Sequence, residues 1–125
     1  MWKSNSNRKY GGKKIKRAGM RFDSKLETAL WDQLKLREIA GEISELKHHP
    51  GTVFLSEARI QYRPDFMFRE KYKDWYSYAE AKGFANDKWP IKKKLWKHYG
   101  PGILYIYGGS YNRLVLTETI IPKGN

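Results

Sequence analysis

At 125 residues, with 40% hydrophobic and 15% aromatic content, the chain is long enough for one hydrophobic core and short for two, which argues against both intrinsic disorder and a multidomain protein. The absence of cysteine excludes disulfides and thiolate metal sites, and no apolar run approaches the length that spans a bilayer, so a soluble protein of the cytoplasm is expected. The formal net charge of +12 sits in two patches: residues 1–22 hold eight basic residues and no acid, residues 88–98 hold five lysines and no acid, and the rest of the chain is nearly neutral.

Positive charge concentrated in this way most often serves a polyanion, because each neutralised phosphate releases a condensed counterion; nucleic acid is the leading partner. A solvated tail that only aids solubility is the bland alternative. An acidic membrane surface is disfavoured, since no amphipathic apolar face accompanies the basic tail.

In chain order, residues 1–20 are rich in Gly, Ser, Asn and Lys without a hydrophobic period, and read as a flexible basic arm that orders on a phosphate backbone; residues 21–125 read as a single domain. Asp23 or Ser24 can cap a helix over "LETALWDQLKLREIAG", with Glu27 placed for a capping box and Gly41 as the stop. Leu26, Ala29, Leu30, Trp31 and Leu34 form its apolar stripe, and Glu27 falls on or beside that stripe, where a carboxylate needs a reason.

Four strand-like segments follow, "ISELKHH", "TVFLSE", "IQYRPDFMF" and "WYSYAEAKG", with "REKYKD" as a hairpin loop before the last. "DKWPIKKKLWKHYG" reads as a helix with Pro90 in its first turn, and "GILYIYG" and "RLVLTETII" as two more strands, the first nearly all apolar and hence central. The order implies a small mixed α/β domain with one sheet flanked by helices.

Alternation along "YAEAK" puts Glu80 and Lys82 on one face with Tyr78, and Ala79 and Ala81 on the other. Across a hairpin, Asp65 could meet Glu80. Converging carboxylates repel and lose hydration unless a cation lies between them, and an all-oxygen ligand set favours Mg²⁺ or Mn²⁺. Taken singly, Asp65 after Pro64 could be a turn former, and Glu80 with Lys82 an exposed edge-strand pair. His48 and His49 suit phosphate contact or a strand end better than zinc, which would want more nitrogen or sulfur ligands nearby. Trp75, Tyr76, Tyr78, Tyr105 and Tyr107 could offer stacking platforms, though most are expected in the core.

"RPD" at 63–65 followed by "EAK" at 80–82 resembles the PD-(D/E)XK nuclease signature. The ordered set of "FDSKLE", "GEISELKHHP", "YRPDF" and "EAKG" after a Lys/Gly-rich start is similar to small phage-encoded endonucleases, over roughly residues 10–107. The one departure is Ala81, where many members carry a bulkier residue, at a position that offers only its backbone. The resemblance implies a restriction-endonuclease-like αβββαβ core and Mg²⁺- or Mn²⁺-dependent phosphodiester hydrolysis. It implies that Asp65, Glu80 and the Ala81 carbonyl hold the metal, that Glu27 completes the site or holds a second ion, and that Lys82 handles the attacking water. Lys92, Lys93, Lys94 and Lys97 would line the DNA backbone, and Lys9, Lys13, Lys14, Lys16, Arg17 and Arg21 would wrap it. The expected substrate is branched DNA, a Holliday junction first, cut by a homodimer in the host cytoplasm. A less selective nuclease, a subunit of a recombination complex, and a non-catalytic nucleic-acid-binding module of the same fold are the alternatives.

Overall fold

The computed structural model describes residues 15–17, 19–83 and 87–123. A short hairpin of β1 (Ile15–Arg17) and β2 (Met20–Phe22) leads into α1 (Lys25–Ile39) and β3 (Ile43–His48). A second hairpin, β4 (Val53–Leu55) and β5 (Ile60–Tyr62), precedes β6 (Phe66–Glu70) and β7 (Tyr76–Ala81). Then come α2 (Trp89–Tyr99), β8 (Leu104–Ser110) and β9 (Arg113–Ile120). The expected arm lies mostly outside the described residues; its described end is paired in the β1–β2 hairpin, which delivers the fully buried Phe22 to the core.

Helix α1 begins and ends as its sequence demands. The Ser24 hydroxyl accepts from the Glu27 N–H at 3.0 Å, and the Glu27 carboxylate reaches back to the Asp23 N–H at 3.1 Å, one residue before the cap. At the other end Gly41 (φ 83°) donates to the Glu38 carbonyl while the Glu42 N–H reaches Arg37, the paired bonds of a Schellman stop.

The central sheet has the order β3-β6-β7-β8-β9, antiparallel except between β7 and β8. Those two are parallel because α2 carries the chain back across the sheet between them. Alternation sorts side chains onto two faces. Phe66, Phe68, Ala79 and Tyr107 pack with Phe22, Leu30, Leu34 and Ile43 beneath α1. Tyr78, Leu104, Ile106 and Ile120 pack with Leu55, Tyr62, Trp89 and Trp96 beneath α2 and the β4–β5 hairpin. Covering both faces explains why "GILYIYG" is almost continuously apolar. Of the aromatic set, Tyr78 and Tyr107 are core and Trp75 is half exposed.

The segment "IQYRPDFMF" is not one strand. Pro64 has no N–H for a ladder and forces the residue before it into extended geometry, so the chain turns a corner. β5 stays with β4, and β6 joins the main sheet between β3 and β7. No described helix is long and apolar enough to cross a membrane.

The return of α2 to β8 is tight: the Trp96 indole donates to the Gly102 carbonyl at 2.8 Å, and a methyl group on Gly102 would overlap the Tyr76 carbonyl. Gly102→Ala should therefore cost about 1–3 kcal/mol, the usual range for overpacking. Gly83→Ala, which meets open space, should be near neutral. Urea midpoints of the two variants check this.

Candidate active site

The register of β6 on β7 pairs Phe66 with Ala79, Met67 with Tyr78 and Phe68 with Ser77. One further step sets Asp65 opposite Glu80, and the Ala81 N–H donates to Asp65 Oδ2 at 2.9 Å. Ala81 thus contributes its N–H to the pair, beside the metal-ligand role that the resemblance implies for its carbonyl. The corner at Pro64 brings Asp65 to the end of the sheet rather than into its middle.

Asp65 is largely enclosed. Its carboxyl is held well above the usual carboxylate range by burial first, then by the charges of Glu80 and Glu27; the Ala81 N–H opposes the rise and Asp23 adds to it. Glu80 has its own compensation: Lys82 Nζ lies 2.9 Å from Glu80 Oε2, both side chains mostly buried. The same ammonium sits 4.6 Å over the ring of Trp89, at the start of α2, so the helix braces the lysine by a cation–π contact. The Tyr62 hydroxyl is buried beside these carboxylates, and burial first, then the charge of Glu80 and its hydrogen bonding to the hydroxyl, suppresses its ionisation.

Glu27 is 2% exposed. Its Oε1 is taken by the Asp23 N–H, and its Oε2 meets His48 Nε2 at 2.6 Å and His49 Nε2 at 2.9 Å. The reason for a carboxylate beside the apolar stripe of α1 is therefore two imidazoles at the end of β3, while its charge still reaches Asp65. The two histidines are the residues at this corner whose convergence spacing alone undervalued. Adjacent residues in a strand point to opposite faces, and only the left-handed backbone of His49 (φ 53°) turns its ring onto that of His48. A doublet at the end of a strand was the available signal.

A cleft of about 460 Å³ opens beside Asp65, lined by Asp23, His49, Thr52 and Arg63 among others. The basic residues divide. Lys16 and Arg21 are exposed and lie opposite each other across β1 and β2. Arg17 lies in β1, and Lys9, Lys13 and Lys14 fall outside the described residues. Lys94 and Lys97 are exposed, but Lys92 is bonded to the Gln61 carbonyl and Lys93 to Glu118, so the four lysines of α2 do not form one free row.

These features define an α/β protein with a mixed sheet between two helices and a carboxylate-rich corner at one end of it. Residues 7–108 match the family described as a protein of unknown function, DUF1064, and the chain belongs to that family. No curated protein matches it.

Because folding raises the affinity of Asp65 for its proton, the contribution runs opposite to that of an ordinary paired carboxylate. Stability is fully present below the unfolded-state value near 4 and is lost as pH rises toward the higher folded-state value. In EDTA, Asp65→Asn should therefore raise the melting temperature at neutral pH and flatten its decline with pH. An Asn oxygen can still accept from Ala81. Thermal scans across pH 4–8 check both.

Proposed function

We propose that the protein is a metal-dependent DNA endonuclease of PD-(D/E)XK type, acting on branched DNA with a Holliday junction as substrate and a homodimer as the working form. The observation that carries this reading is the Asp65, Glu80 and Lys82 arrangement, in which cross-strand register aligns the carboxylates and the lysine lies against the second of them. The donor set fits the expected metal: two oxygen ligands crowded into a poorly hydrated corner, one with its proton affinity raised, favour a hard dication.

Asp65 and Glu80 would hold Mg²⁺ or Mn²⁺, which supplies neutralisation of phosphate charge and a more acidic water. The chain's own groups do the rest. The Ala81 N–H fixes the rotation of the Asp65 carboxylate. Lys82, steadied over Trp89, presents its ammonium where it can leave Glu80 for a water or a phosphate oxygen. Arg63 on the wall of the cleft is placed to hold a second phosphate. Lys16 opposite Arg21 is a like-charge pair, unfavourable in isolation and relieved by a polyanion lying across the hairpin. Two symmetric cuts on a four-way junction require two such sites, hence the dimer.

Cleavage of a four-way junction beside a linear duplex of the same sequence tests the reading. With Mg²⁺ or Mn²⁺ the junction should be cut in preference, and Asp65→Asn and Lys82→Ala should each lower the rate by about 10²-fold or more while junction binding persists. Equal cutting of the linear duplex would sink the junction assignment. Binding without cutting under either metal would leave a nucleic-acid-binding module instead. Replacing Lys94 and Lys97 by alanine should reduce the salt dependence of binding by about one unit of slope for each phosphate no longer neutralised. An unchanged slope would remove α2 from the DNA path.

A further inference from the structure

We propose that Glu27, His48 and His49 form a binding site for a first-row transition-metal dication of the Zn²⁺ class, distinct from the oxygen pair of Asp65 and Glu80. Three ligand atoms, a carboxylate oxygen and two imidazole nitrogens, lie within 4.8 Å of one another. Both Nε2 atoms are directed at the same oxygen, Glu27 Oε2, from 2.6 and 2.9 Å. Two histidines and one carboxylate are a set that Zn²⁺ accepts with a further position open to water or substrate. Imidazole selects against Mg²⁺ and Ca²⁺, which prefer oxygen.

The backbone supports a ligand role over mere neutralisation of a buried glutamate. One histidine, His48, would satisfy that oxygen from within the aromatic packing of Phe22, Trp31 and Phe66. Bringing the second requires His49 to adopt a left-handed conformation that a non-glycine residue seldom takes, locked by its N–H to the Asp65 carbonyl at 2.7 Å. The result is two imidazoles stacked at 3.7 Å with both nitrogens on one side. The remaining carboxylate oxygen is held by the Asp23 N–H, an outer contact of the kind that orients metal ligands. His49 is also part of the cleft wall, which gives an ion and its water a route in. The site takes Glu27, which the resemblance assigned to the nuclease centre, through the two histidines instead, and would bind its ion whether or not the protein cuts DNA.

Co²⁺ serves as the probe, added to full-length protein without a histidine tag, with its visible absorption bands as readout and Zn²⁺ as competitor. The parent protein should take up one equivalent of Co²⁺ into the coloured site, released by Zn²⁺ and not by excess Mg²⁺. His49→Gly suits the left-handed backbone and should fold normally, and Glu27→Gln keeps an acceptor for Asp23. Each should weaken Co²⁺ binding by more than about 100-fold, beyond what outer-contact changes cost. The double variant Asp65→Asn, Glu80→Gln should keep the coloured site. Failure of the parent protein to bind Co²⁺ stoichiometrically, an unchanged spectrum in His49→Gly, or loss of the spectrum in the double variant would each overturn the proposal. The last outcome would assign the ion to the oxygen pair.

Discussion

Everything in this molecule turns on crowding three carboxylates, Asp65, Glu80 and Glu27, around one corner of a sheet. A buried carboxylate left uncompensated is costly, by several kcal/mol, and neighbouring charges of the same sign make it worse. Each of the three has a different compensation: a backbone N–H for Asp65, an ammonium for Glu80 and two imidazoles for Glu27. Of these, Asp65 is the least well served, and its raised proton affinity records the deficit. That deficit is the physical ground for the cation proposed at this corner.

The surrounding architecture supplies those partners from separate elements. α1 delivers Glu27 through its own capping geometry, so the residue that starts the helix also enters the corner. The end of β3 delivers the histidines, and α2 delivers Trp89 beneath Lys82. Ala79 is fully buried on the face under α1, where a small side chain lets the helix lie close to the sheet. The opposite face is filled by large aromatics, Tyr62, Tyr78, Trp89 and Trp96, which keep the Glu80 side of the corner poor in water.

The charge pattern becomes more selective in three dimensions. The sequence shows a row of lysines along α2, but Lys92 and Lys93 are bonded within the fold, and of the four only Lys94 and Lys97 stand exposed at the surface. The basic N-terminal stretch ends in a hairpin that sets Lys16 against Arg21, concentrating positive charge at a defined place. Among the described residues, a polyanion would therefore meet two exposed lysines on α2 rather than a row of four.

By itself the sequence determined both helices and the faces of the strands that form the site. Ser24, Glu27 and Gly41 specify where α1 begins and ends, because capping bonds are local. The alternation in "YAEAK" specifies that Glu80 and Lys82 share a face, because the strand repeat is two residues. Only the tertiary structure decided the rest. The β6–β7 register places Asp65 beside Glu80, and a slip of one residue would have reversed its face, a choice settled by which side of Phe66 and Phe68 could be buried. Pro64 divided one apparent strand into two because the β4–β5 hairpin and the main sheet compete for the same chain. The pairing of His48 and His49 on Glu27 depends on a left-handed backbone that no side-chain pattern announces, since it is imposed by a hydrogen bond to Asp65, sixteen residues further on.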